Sequence, residues 1–99
     1  MDYEEFIEKC KRMGLNSIDY LVPKDKFKEI DDEAEYGIEE IEYLIDKAER
    51  TVRRWLSTGY LLPFKKGPYK CYGIEIKRTL FKEFHSQIMY RFEDGRKGS

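Results

Sequence analysis

Two apolar stripes that meet at a tight break constrain this chain more than any other feature. Ile38, Ile41, Leu44 and Ile45 recur at helical spacing, Asp46 and Lys47 interrupt them, and Ala48, Val52, Trp55 and Leu56 resume until Gly59. Apolar residues three and four apart share one face of a helix. The spacing therefore predicts a short helix over 38–45 and a second over 48–57, with a break too short to let either run on. Such a pair folds back on itself as a helix-turn-helix. The first helix covers the second, and the second turns outward the face bearing Arg50, Arg53 and Arg54.

Beyond Gly59 the period changes. YLLPFKKGPYKCYGIEIK holds two β-prone runs, Leu61–Lys65 and Cys71–Lys77, around Gly67-Pro68. Ile74 and Ile76 alternate with Glu75 and Lys77, as a half-buried strand requires. This predicts a β-hairpin, with Pro63 holding one strand to an edge or entry position. Lys65, Lys66 and Lys70 lie at its tip or beside it. Leu80, Phe81, Phe84, Ile88 and Phe92 then mark a last helix, expected to be capped by Thr79.

Upstream, Tyr3, Phe6, Ile7, Cys10 and Met13 form another helical stripe. Asp2 suits its cap and Gly14 its left-handed end. Pro23 separates it from a short helix expected around 24–34, which ends before Gly37. The fold class expected is mainly α with a small β-hairpin wing. It is a winged helix-turn-helix over 36–92, preceded by an acidic helical N-terminal extension over 1–35 and followed by a flexible tail at 93–99. Phe6, Ile7, Ile18 and Leu21 need burial, so the extension is expected to pack on the domain or to dock a partner.

The net charge of −1 hides a steep polarity. Residues 1–45 carry 14 acids and 6 bases, whereas residues 46–99 carry 6 acids and 13 bases, nets of −8 and +7. Either one half faces a polyanion, or the oppositely charged halves attract each other within one fold.

The stretch IEEIEYLIDKAERTVRRWLSTGYLLP resembles the DNA-binding module of the MerR and excisionase superfamily. Thr51-Val52-Arg53-Arg54-Trp55 and Gly59 match its second helix in order and spacing, and Leu61-Leu62-Pro63 resembles the run into its wing. Tyr69-Lys70-Cys71-Tyr72 is similar to the wing motif, with lysine in the arginine position, and Ile74 to Phe84 resembles the excisionase ending. The similarity covers roughly residues 36–90. Ile41 and Glu42 replace the usual pair of alanines in the first helix, and nothing after residue 92 corresponds to the dimerising coiled coil of MerR regulators. The resemblance implies a winged-helix module that binds double-stranded DNA, with Arg53 contacting the backbone.

On that basis the expected DNA-contacting residues are Arg50, Thr51, Arg53, Arg54, Lys65, Lys66, Tyr69, Lys70, Lys77 and Arg78. Arginine forks to guanine in the major groove or to phosphate oxygens. Thr51 lies near a helix N-terminus, where the dipole favours an anion. The alternative for the arginines is a solvated face balanced by Glu49 and Asp46, and for the wing lysines protection against edge pairing. Lys77 and Arg78 are expected at the start of the last helix, where cations do not help its dipole and a phosphate contact is favoured.

Enzymatic chemistry finds no constellation. His85 is the only histidine, and Cys10, Cys71 and His85 lack zinc-like spacing. Asp31-Asp32-Glu33-Ala34-Glu35 reads as a solvated helix end rather than a calcium loop. Neither a phosphate-binding glycine motif nor a nucleophile elbow occurs. No cofactor or metal is expected, and the cysteines are expected as buried thiols of a cytoplasmic protein. No run is long and apolar enough for a membrane.

The expected function is sequence-specific DNA binding in a phage or mobile element. The chain would act as an excisionase-like architectural factor, a small transcriptional regulator, or a terminase-small-subunit-like recognition module. Self-association on DNA, or an integrase or repressor docked through residues 1–35, would supplement its short footprint. The alternative is a protein-interaction module, an antirepressor or an inhibitor of a host or phage factor, built on the same scaffold.

Overall fold

The computed structural model describes residues 1–97. Helix α1 spans Tyr3–Arg12, a single 3-10 turn Ser17–Asp19, α2 Lys24–Glu29 and strand β1 Glu35–Tyr36. Helices α3 (Ile38–Ile45) and α4 (Glu49–Thr58) follow, then strand β2 (Cys71–Tyr72), α5 (Gly73–Glu83) and α6 (His85–Lys97). The architecture is mainly helical with one small two-stranded antiparallel sheet, in which Glu35 pairs with Tyr72 and Tyr36 with Cys71. Among the described residues no helix is long and apolar enough to cross a membrane.

Local chemistry sets the helix ends. The Asp2 carboxylate accepts the Glu5 N–H at 2.8 Å and starts α1. Glu40 reaches back to the Gly37 N–H at 3.1 Å and starts α3. Asp46 closes α3 in the left-handed region at φ 55°, and Gly59 closes α4 at φ 83°. The two-helix reading of 38–59 therefore matches the observed elements to within a residue or so at each end.

One apolar core joins every region. Phe6 from α1 lies 5.4 Å from Phe81 of α5 and 5.3 Å from Phe92 of α6, ring centre to ring centre. Tyr3 stacks on Phe27, and Leu21 and Ile30 are buried in the same cluster as Ile41, Val52, Leu56, Ile76 and Leu80. Burying each such side chain is worth about 1.5–3 kcal/mol. The apolar residues of 1–35 thus fill the same core as those of 36–92. Trp55 is only half-buried and packs edge-on to Tyr60 at 4.9 Å.

The chain after Leu61 departs from expectation. Only Cys71 and Tyr72 of the run Cys71–Lys77 are strand, and they pair with Glu35 and Tyr36 rather than with 61–65. From Gly73 the chain is helical. Ile76 and Leu80 are both buried, four apart on one face of α5, whereas Ile74 is half-buried, so helical burial replaces strand alternation. In place of a hairpin wing there is a tight loop closed by a single bridge between Lys65 and Lys70. Thr79 is not a cap: it lies buried within α5, and its hydroxyl donates to the Glu75 carbonyl at 3.0 Å.

Residues 31–35, expected as the end of a helix, form a turn over 31–34 that docks on the start of α5, and Glu35 opens β1. The Gly73 N–H donates to the Ala34 carbonyl at 2.9 Å and the Ile74 N–H to the Asp32 carbonyl at 3.1 Å. These bonds satisfy the first orphan donors of α5. The approach is so close that a Cβ on Gly73 would stand 1.9 Å from the Asp31 carbonyl oxygen. Helix α6 continues to Lys97, so the part of the expected tail at 93–97 is helical, while Gly98 and Ser99 lie outside the described residues.

Candidate nucleic-acid interface

Helix α4 is two-faced. Val52 and Leu56 are buried, at 0% and 2% exposure, beneath a covering provided largely by α3. Arg50, Arg53, Arg54 and Ser57 fall three and four apart on the other side, and all are exposed. Among the described residues neither Arg50 nor Arg54 has an ion-pair partner. Arg53 meets Glu49 one turn back at 3.3 Å, with more than half of each side chain in water. Such an exposed pair contributes about 0–1 kcal/mol and gives way readily to a stronger anion. Thr51 is half-buried in the first turn, and no side chain caps that turn at Ala48. Uncapped N–H groups at a helix start favour an anion.

The loop after α4 carries the second group. The buried Leu61 fixes its root, with its N–H donating to the Trp55 carbonyl at 3.1 Å. Phe64 and Lys70 are tied by an N–H to carbonyl bond of 2.9 Å, and Lys70 returns one to Lys65 at 3.0 Å. Lys65 and Lys66 are exposed, while Tyr69 and Lys70 are half-buried. Among the described residues none of these three lysines has an ion-pair partner. Arg50, Arg53 and Arg54 thus share one helix face, and Lys65 and Lys66 stand on a loop rooted at the end of that helix.

Lys77 and Arg78 do not join them. They lie within α5 rather than at the start of the last helix, and each is already matched by an acid from residues 1–35. The Lys77 ammonium sits 2.6 Å from Asp32, with only 16% of its side chain exposed. Arg78 pairs with Glu4 of α1 and with Glu75 one turn back. The hydrogen bond that Arg78 donates to Glu4, reinforced by both carboxylate charges, raises the Arg78 pKa further above its ordinary value. Lys82, the next cation on α5, donates to the Tyr60 carbonyl at 3.0 Å and covers the Tyr60 ring at 4.2 Å. Part of the charge polarity is therefore satisfied inside the fold.

Sequence reasoning missed the aromatic component. Phe64 and Tyr72 stack at 4.1 Å with their planes 19° apart, yet remain 42% and 40% exposed. Leu62, also exposed, lies two residues before Phe64. The available signal is two aromatics flanking the lysines, which the hairpin expectation assigns to strands.

The reactive side chains are held quiet. Cys10 and Cys71 are free, buried thiols. Burial, aided by the Glu75 charge, pushes Cys71 up to about 12, and burial also raises Cys10. His85 lies edge-on to Phe81 at 5.4 Å. Among the described residues no group of three or more His, Cys, Asp or Glu side chains converges as a metal site would require. Comparison with protein-family models, with curated proteins and with solved structures finds no match to this chain.

Proposed function

We propose that the chain is a small DNA-binding protein of the winged helix-turn-helix kind, which sets α4 into the major groove of a duplex. The observation that carries this reading is the bare cationic face of α4. Arg50 and Arg54 are exposed, without an ion-pair partner among the described residues, opposite the buried Val52 and Leu56. A helix held from behind by a packed partner, with arginines forward, is the arrangement that major-groove readout needs. Lys65, Lys66 and Lys70 on the loop would meet the flanking phosphates, with Tyr69 beside them. The loop takes the place of a full wing. Lys77 and Arg78, matched by Asp32 and Glu4, lie outside the proposed interface.

The footprint is short, so useful affinity calls for several copies along the DNA or for a protein partner. The resemblance to excisionases and MerR-type modules favours an architectural or regulatory task in a phage or mobile element. Titration of duplex DNA at several salt concentrations tests the reading. Affinity falls steeply with salt, and Arg50→Ala with Arg54→Ala weakens it about tenfold or more while lowering the salt slope by about two contacts. Absence of duplex binding at low salt overturns the proposal.

A further inference from the structure

The segment from Leu62 to Tyr72 combines features that cation binding alone does not need. Lysines suffice to hold phosphates, and loops commonly carry them. Here they lie along the chain between two aromatic residues and after a leucine, all left in water, with Leu62 56%, Phe64 42% and Tyr72 40% exposed. The rings are stacked on each other at 4.1 Å and 19°, so they present a fixed aromatic surface rather than two loose side chains. The loop beneath them is stiffened by the paired Lys65 and Lys70 backbone and by the Phe64 N–H to the Lys70 carbonyl. Tyr72 is anchored as well, since its backbone belongs to β2 and leads directly into α5.

An exposed aromatic surface beside unmatched cations fits a ligand that is flat and apolar in one part and anionic in the next. A nucleic-acid strand with an unstacked base has this alternation. A base stacks on an aromatic ring whatever its identity, and the neighbouring phosphates meet the cations. A fully paired duplex hides its base faces and offers only phosphates and groove edges. An acidic peptide would match the lysines but leave the rings without a flat partner.

We infer that residues 62–72 form a base-stacking platform, on which Phe64 and Tyr72 receive an unstacked base while Lys65 and Lys66 hold the phosphates on either side. The inference rests on the duplex reading only in placing this platform beside the footprint of α4. The root at Leu61, bonded to the Trp55 carbonyl, fixes it at the C-terminal end of that helix. The protein would then favour DNA that is gapped or locally opened next to its contact with α4.

The test compares a fully paired duplex with the same duplex carrying a short single-stranded gap that contains 2-aminopurine. Wild-type protein should bind the gapped duplex about tenfold tighter, the scale of one base stacked on an aromatic ring. The 2-aminopurine emission should fall on binding. Phe64→Leu and Tyr72→Leu should each abolish the preference while leaving affinity for the paired duplex unchanged, and Phe64→Trp should retain it. Arg54→Ala should weaken binding to both substrates equally. Equal wild-type affinities with unchanged emission overturn the platform and leave the duplex reading standing. Aromatic-dependent binding to gapped DNA, with none to the paired duplex, keeps the platform and overturns the duplex reading. Binding to neither overturns both and gives the patch to a protein partner or a second copy. The emission measurement uses wild-type protein, so a variant that fails to fold does not decide the outcome.

Discussion

Helices α4 and α5 both carry basic residues, and the fold treats them in opposite ways. On α4, Arg50 and Arg54 have no ion-pair partner among the described residues, and Arg53 has only an exposed glutamate of its own helix. On α5, Lys77, Arg78 and Lys82 are engaged by Asp32, by Glu4 and Glu75, and by Tyr60. The difference follows from position. Helix α5 touches α1, β2, α3 and α6, so its polar face is ringed by other elements, whereas α4 packs mainly on α3. A run of cations therefore signals a polyanion partner only where the fold leaves it uncovered.

The largest way to break this contrast is to separate residues 1–35 from α5. Gly73→Ala places a methyl group where the Asp31 carbonyl now stands, against backbone that cannot swing aside as a side chain would. Overpacking of this kind costs about 1–3 kcal/mol, occasionally more. Urea unfolding should show that loss, because the Asp31 turn must retreat and draw Asp32 away from Lys77. An unchanged midpoint would mean that the turn is not seated on α5. Removing residues 1–35 outright is a poorer test, since it strips Phe6, Leu21, Phe27 and Ile30 from the shared core.

How much of this was legible follows from where each signal resides. Helices α1, α3 and α4 announce themselves locally, through an apolar stripe with a cap or a left-handed residue at its end. The pairing of α3 with α4 was therefore readable from 38–59 alone. The segment 73–77 was not, because Ile74 and Ile76 satisfy strand alternation over a few residues. Extending the window to Leu80 and Phe84 would have shown the four-residue step that α5 uses. Strand β1 has two residues, and its partner lies beyond two helices, so no local pattern marks it. The bare face of α4 was legible as chemistry, yet whether a given cation is matched depends on pairs such as Glu4 with Arg78, far apart in sequence.

A second, intermediate effect concerns the strap between the two helices. Tyr60 packs on Trp55 of α4 and donates its hydroxyl to Glu83 of α5 at 2.5 Å. Burial, with the hydrogen bond and charge of Glu83, raises its pKa from 10.0 to about 12. The folded state thus keeps the proton longer than the unfolded chain. Its contribution is fully present below pH 10 and is lost as pH rises through about 12. Tyr3, also at about 12, acts over the same range, and the Cys71 contribution is present below about pH 9 and begins to be lost above it. Unfolding at a series of pH values should show a plateau below pH 9 and a decline above it. Tyr60→Phe should make the decline shallower, and an identical slope would show that the strap does not couple α4 to α5.

The smallest effect is the most direct probe of the contrast. Arg78 and Glu4 leave 44% and 48% of their side chains in water, so their pair contributes about 0–1 kcal/mol, screened further by salt. Arg78→Gln should lower stability by no more than that, with the loss shrinking at high salt. A double-mutant cycle with Glu4→Gln isolates the coupling. Duplex affinity should move by less than about twofold in Arg78→Gln, against about tenfold for the paired substitutions on α4. If Arg78→Gln instead weakens DNA binding as much as Arg54→Ala does, the cations of α5 are available after all. Glu4→Gln sharpens the same point from the other side. It detaches Arg78 from α1 and leaves only its pair with Glu75, so a gain in duplex affinity would place α5 at the interface, while no change leaves α4 and its loop as the cationic surface.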